Sequence, residues 1–199
     1  MVIWTELLDG DEIEGVDAGG VDFSGADEHG VRMLDSRFSA ATFSGSRFTG
    51  CRFVDVQFAS ANAPDLGLSE SVLQDVLFSD SRLGGVSAPG GLWTRVRFVG
   101  CKIGYLNLRA ARLTEVRFEN CAIDEIDLGG AQLKRVQFPG CTIGKLALSN
   151  ARCADVDVRR AELAVLESNP DGVRGLILTR EQSLDLATDL ASILGIRVE

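Results

Sequence analysis

Few side chains in this sequence could do chemistry, and their spacing argues against it. His29 is the only histidine. A Ser/His/Asp or Cys/His relay would have to run through it, since the imidazole carries the proton in both. It sits beside Gly30 at an outward position of the pattern described below, where a solvated surface residue is expected. The five cysteines are Cys51, Cys101, Cys121, Cys141 and Cys153, an odd number. No histidine or carboxylate shares the interior column that holds three of them, so the usual zinc ligand set is missing. Packed free thiols in a reducing compartment are expected. Carboxylate pairs such as Asp124-Glu125 point outward. The glycines recur at fixed intervals and do not open a phosphate loop. The sequence therefore predicts no catalytic residue, no metal and no cofactor.

What the chain has in place of a reactive constellation is a repeat. All 10 phenylalanines share one register of a five-residue period, from Phe23 to Phe138. Let i denote that position. From Val16 to Val165 the register never slips, which makes 30 pentapeptides. Position i is large and apolar except at Ala18, Glu28, Ala63, Ala88 and Cys153. Position i−2 is always uncharged, and nearly all charges fall at i−1, i+1 and i+2. Residues five apart share no face of a helix, and on a flat strand they point to opposite sides. The chain must turn about once per pentapeptide, with i−2 and i both facing inward. Turn residues agree. Of 17 glycines between Val16 and Val165, 15 lie at i+1 or i+2, Gly67 and Gly91 being the exceptions. Pro89-Gly90 and Pro139-Gly140 suit the centre of a type II turn.

A longer period, of four pentapeptides, sits on top of the first. The i−2 residues cycle as Val96, Cys101, Leu106, Ala111 and again as Val116, Cys121, Ile126, Ala131. Phe38, Phe58, Phe78, Phe98, Phe118 and Phe138 form one ladder at that spacing. Four units per coil predict a four-sided tube with like side chains stacked ~4.8 Å apart, the interstrand spacing of a sheet. Its interior is filled by side chains, so no pore or ligand cavity is expected.

A small residue at i−2, a polar one at i−1 and Leu or Phe at i resemble the pentapeptide repeat proteins. The resemblance implies an all-β solenoid, the right-handed quadrilateral β-helix of that family. It covers about three quarters of the chain, with no loop inserted. Fold of this kind does not fix function. Quinolone-resistance members of the family are thought to imitate duplex DNA and occupy the DNA site of gyrase. A C-terminal helix joins two of their monomers end to end.

Three segments follow. Residues 1–15 are expected to cap the first coil through Ile3, Trp4, Leu7 and Leu8, residues 16–165 to form the solenoid, and residues 166–199 to close the other end. Asn169-Pro170-Asp171-Gly172 reads as a turn and 175–178 as a short strand. Thr179 with Gln182 is a capping box opening a helix to about Leu194. Leu184, Ala187, Leu190, Ala191 and Leu194 share one helical face, which either caps this tube or, as the resemblance implies, joins a homodimer. Ile196-Arg197-Val198 is read as a last strand.

Net charge is −9. Residues 1–28 hold nine acids and no base, so the remaining chain is neutral. Asp9, Asp11, Glu12, Glu14, Asp17 and Asp22 are the candidate acidic partner surface. Elsewhere Arg32, Arg52, Arg112 and Arg152 form one column, followed three positions on by Asp35, Asp55, Glu115 and Asp155. Adjacent columns of opposite sign cancel beyond a Debye length of ~8–10 Å. Val72, Leu77 and Leu92 are apolar where the pattern is polar, with Val99 and Tyr105 also outward, and form a candidate apolar partner surface. No stretch is long enough to cross a membrane, and no signal segment is present, so a cytoplasmic location is expected. The reading is a non-catalytic scaffold for an unidentified protein partner, with no direct nucleic-acid binding. The alternative is a DNA mimic that binds gyrase and confers resistance to quinolones or a related toxin.

Overall fold

A computed structural model describes residues 2–198, with side chains from Trp4 onward. Met1, Glu199 and the side chain of Ile3, expected in the N-terminal cap, lie outside the described residues.

Each pentapeptide makes a short extended segment and a corner. Residues at i−2 are buried without exception from Val21 to Leu166. The N–H at i−1 donates to the carbonyl of the i−2 residue one coil below: Val72 to Cys51 at 2.8 Å, Leu92 to Ser71 at 3.0 Å, Arg112 to Gly91 at 2.8 Å. Strands of successive coils pair in parallel, Phe58 against Phe38 and against Phe78. The pairing yields sheets of 10 and 15 strands. They close into a right-handed quadrilateral β-helix of about 8 turns.

The interior is a set of stacks. Rings from Phe38 to Phe138 stack at centroid separations of 5.5, 5.0, 5.0, 4.8 and 5.0 Å. Such pairs contribute about 0.5–1.5 kcal/mol each beyond their burial. Trp93 is the largest fully buried side chain. Gly91 makes room for it, since a Cβ there would lie 3.1 Å from the indole Nε1. The small i−2 residues also carry hydrogen bonds. Ser71 Oγ donates to the Phe48 carbonyl at 2.7 Å and accepts from the Cys51 N–H at 3.1 Å. Cys101, Cys121 and Cys141 thiols donate to Phe78, Phe98 and Phe118 in the same way, at 3.5, 3.5 and 3.3 Å. A hydroxyl or thiol at i−2 therefore satisfies buried backbone groups of the coil below, where no water reaches.

Corners come in two kinds. At most of them the i+2 residue is left-handed, as at Gly90 (φ 68°) and Gly140 (φ 70°), the value a type II turn requires. Fourteen non-glycine residues share that conformation, Ala110 (φ 55°) among them. On one edge from Asp65 onward the i+2 residue is not left-handed, and the strand passes straight through the corner, as in Lys102–Asn107 and Ala122–Asp127. Coils approach closely there: a Cβ on Gly104 would meet the Gly84 carbonyl oxygen. The sequence reading had one corner type, and close backbone approach is why the glycine moves to i+1.

At the N-terminal end Val2–Ile3 pairs with Val21 and Asp22, and Trp4 lies over Phe23 at 6.4 Å. Glu12–Glu14 already pairs with Arg32–Leu34, burying Ile13. At the other end Leu176–Ile177 pairs with Val156 and Asp157. Two short helices follow, α1 (Arg180–Asp185) and α2 (Ala187–Ile193), in place of the single helix expected. The break is at Leu186 (φ −90°, ψ 14°), which points into the tube. No strand forms at Ile196-Arg197-Val198: Gly195 turns the chain (φ 74°), and the Ile196 N–H returns to the Ala191 carbonyl.

Two glycine changes test the corners. Ala110→Gly should raise stability by about 0.5–1 kcal/mol, relief of left-handed strain outweighing glycine's entropy, or about 1–4 °C in Tm. Gly104→Ala should cost about 1–3 kcal/mol as the coils shift apart. Thermal unfolding checks both, and equal, small effects would contradict the two-corner description.

Candidate functional site

Three surfaces carry the residues singled out by sequence, and the solenoid distributes them unequally. At the acidic end Asp9, Asp11, Glu14 and Asp17 are exposed. Glu12 and Asp22 are half-buried and have structural partners. Glu12 pairs with Arg32 at 2.7 Å. Asp22 accepts from the Ser24 N–H at 2.9 Å and from Thr42 Oγ1 at 2.7 Å. Hydrogen bonds from Ser24 and Thr42 hold its carboxyl below the usual range. His29 is exposed.

Along the body, charges pair up the rod, one coil to the next. Arg95 bonds Asp75 at 2.5 Å, Arg135 bonds Glu115 at 2.5 Å, and Lys145 lies 3.5 Å from Glu125. Equivalent positions of adjacent coils stand one strand spacing apart, so long side chains meet there readily. The adjacent columns of opposite sign read from the sequence do not pair with one another among the described residues, Glu115 being held by Arg135. Of Arg32, Arg52, Arg112 and Arg152, only Arg32 makes an ion pair among the described residues. These pairs are solvent-exposed and worth about 0–1 kcal/mol each.

The apolar set divides over three faces. Val72 and Leu92 are register partners on one face, with Arg52 below and Arg112 above. Leu77 is on the next face, between Gln57 and Arg97. Tyr105 lies on a third, between Gly85 and Glu125, with its phenol pushed up by burial and by Asp127 and Glu125. Leu92 is 45% exposed, while Val72 and Leu77 are half-buried. A single patch made of all five is therefore corrected to a Val72–Leu92 stripe and separate residues.

The C-terminal helices present two faces. Leu186, Leu190 and Ile193 pack on the core. Gln182 Nε2 donates to the Val158 and Ala161 carbonyls at 2.7 and 2.8 Å, and Asp189 accepts from the Leu166 N–H at 2.8 Å. These bonds cover the open edge of the last coil. Leu184 and Leu194 are 67% and 64% exposed, Ala187 is exposed, and Ala191 is half-buried. Sequence reasoning missed the capping use of Gln182 and Asp189. Their spacing with Leu186, Leu190 and Ile193 along one helical side was the available signal.

Eight-copy pentapeptide repeat models match residues 19–54 and 36–75, and a pentapeptide repeat region model matches residues 93–148. The chain belongs to the pentapeptide repeat family. No curated protein matches it in sequence. Similar solved structures include a trypsin-treated form of QnrB1, a plasmid-mediated fluoroquinolone resistance protein, with 19% identity over 93% of this chain and 100% of that one, TM-score 0.38. HetL, involved in heterocyst differentiation regulation in the cyanobacterium Nostoc sp. strain PCC 7120, shares 14% identity over 83% of this chain and 84% of its own, TM-score 0.44. What this pentapeptide repeat protein does is therefore read from its own surface.

Its thiols are inward and free. Burial pushes Cys153 up to about 11. The folded state thus prefers the neutral thiol: its contribution to stability is full below the ordinary thiol value of 9.0 and fades as pH climbs through about 11. Labelling of native protein by a disulfide reagent should be slow at neutral pH and speed up through that window. Rapid, complete labelling at neutral pH would contradict the packing described.

Proposed function

We propose that this protein is a non-catalytic, rigid scaffold that binds another protein through its outer faces. The observation that carries the reading is the filled interior. The cavity among Phe43, Phe48, Phe53 and Phe58 is about 10 Å³, at the limit of one water. A ligand has no room inside, so recognition falls to side chains fixed on the faces. Leu92 is the apolar residue most exposed on the Arg52–Arg112 face. The free thiols support a reducing, cytoplasmic setting. Among the described residues no helix is long and apolar enough to cross a membrane.

In affinity capture from the source cell, a partner retained by the wild-type chain should be lost with Leu77→Glu/Leu92→Glu while the circular-dichroism spectrum is unchanged. Retention of every partner by that variant would sink the role of these residues.

A second reading is a DNA mimic acting on gyrase or a related type II topoisomerase, giving resistance to quinolones or a related toxin. The exposed Asp9, Asp11, Glu14 and Asp17 favour it, since none is in an ion pair among the described residues. A supercoiling assay with and without a fluoroquinolone tests it. Inhibition or drug protection at micromolar protein is expected if the reading is right. Reversal of Asp9, Asp11 and Glu14 should abolish the effect, with Glu12 left to hold Arg32. Activity that survives reversal would rule out mimicry through this end.

The scaffold is further proposed to be a homodimer. The exposed Leu184, Leu194, Ile196 and Val198 support it, as an apolar surface at the tip of the rod. Light scattering should show a dimer that Leu184→Asp/Leu194→Asp converts to monomer. A wild-type monomer at about 100 μM would exclude a stable dimer with a dissociation constant in the micromolar range.

A further inference from the structure

Four outward residues stand directly above one another on one face: Arg52, Val72, Leu92 and Arg112, each in register with the next. Their spacing is one strand separation, so they fall at about 0, 4.8, 9.6 and 14.4 Å along the rod. Residues i, i+3, i+7 and i+10 of an α-helix fall at about 0, 4.5, 10.5 and 15 Å. The two series agree within about 1 Å. Alternate residues of an extended strand laid the same way fall at about 0, 6.7 and 13.4 Å and lose register at the second step.

The chemistry along the stripe is cation, apolar, apolar, cation. Arg52 and Arg112 make no ion pair among the described residues, whereas the neighbouring pairs Asp75–Arg95 and Glu115–Arg135 are closed. The ground on either side suits a cylinder about 10 Å across. On one side lie the half-buried, uncharged Val54, Gln74, Thr94 and Thr114. On the other, the corner carries Gly50, Gly90 and Ala110, preceded by Thr49, Pro89 and Arg109, the last held by Asp127 at 2.9 Å. Glu70 also stands in that corner, and it favours a basic or neutral residue on the flank of whatever docks.

We propose that the Arg52–Val72–Leu92–Arg112 stripe docks an amphipathic α-helix of a partner protein, laid along the rod axis, with acidic residues at i and i+10 and apolar residues at i+3 and i+7. The inference rests on the scaffold reading and gives the partner's contact element. Helix-on-surface recognition of this kind takes its register from the anchor spacing. Here the anchors are Val72 and Leu92, and the terminal arginines set direction and specificity more than affinity.

The probe is a fluorescein-labelled, alanine-rich helical peptide of about 18 residues, long enough to be partly helical in water. It carries Glu at i and i+10 and Leu at i+3 and i+7, and is titrated by anisotropy against the full chain. Saturable binding with a dissociation constant below about 1 mM, or about 4 kcal/mol, is expected. Leu92→Glu should weaken it at least tenfold. Arg52→Glu with Arg112→Glu should reject this peptide and accept one with Lys at i and i+10. The same residues at i, i+2, i+4 and i+6 should bind at least tenfold more weakly. No saturation by about 1 mM, equal binding of the respaced peptide, or no exchange of preference on charge reversal would each overturn the proposal. If Leu92→Glu still strips a captured partner while the peptide fails, the scaffold reading stands and the helical occupant falls.

Discussion

Everything in this molecule depends on one geometric demand: a chain that turns once per pentapeptide must place each backbone polar group against its equivalent in the next coil. The strand ladder meets part of the demand, with i−1 N–H groups donating to the i−2 carbonyls of the coil below. The inward carbonyls after Phe23, Phe48, Phe78, Phe98 and Phe118 are met by Ser46, Ser71, Cys101, Cys121 and Cys141. A slip of one residue would send every Phe outward and orphan these bonds together. The strict register is thus a consequence of polar satisfaction as much as of apolar burial. It also accounts for left-handed alanines, aspartates and arginines at the corners. Their strain, of order 1 kcal/mol apiece, is tolerated because the ladder leaves no other path.

What the sequence made legible follows from what repeats. The Phe column, the inward i−2 residues and the corner glycines recur at fixed spacing, so each copy reinforces the others. Even an exception was informative: Gly91 interrupts the i−2 series because Trp93 needs its space. The capping box of Thr179 and Gln182 was readable because it is local. Features that occur once were not readable. The change of corner at Pro64-Asp65 depends on how closely two backbones approach, which single residues do not encode. The break at Leu186 and the rotation of the helices, which turn Leu190 and Ile193 to the core and leave Leu184 out, are set by docking onto the last coil. Among the candidate partner residues, outwardness was legible, but membership of one face was not. Leu77 precedes Leu92 by three pentapeptides, one short of a full coil, and so lies one face away in space. Each corner rotates the next unit.

Charge follows the same lattice. Side chains at equivalent positions of adjacent coils stand one strand spacing apart, so opposite charges there close into pairs, as at Asp75–Arg95 and Glu115–Arg135. The body is thereby electrostatically quiet beyond a Debye length. The exceptions carry more information than the total of −9: exposed carboxylates at the N-terminal end, and Arg52 and Arg112 bracketing two apolar residues. A uniform acidic rod would steer a cationic partner along its whole length. A rod with local features selects by position.

Position on this lattice also limits the size of any contact. A helix whose contact residues alternate three and four apart advances about 5.25 Å per anchor, whereas the rod advances about 4.8 Å per coil. The mismatch is under half an ångström per step and reaches about 2 Å after four or five coils, roughly half the width of a methyl group. A straight helix can therefore stay in register over about three coils, the span from Arg52 to Arg112. A contact of that length buries little area, and its affinity is modest. Two rods joined at their C-terminal ends would present the stripe twice, and a partner with two such helices would gain by effective concentration without a new contact. Were both proposals right, the apolar tip at Leu184 and Leu194 and the stripe at Val72 and Leu92 would act together, a rigid lattice binding weakly at each face and more strongly when doubled.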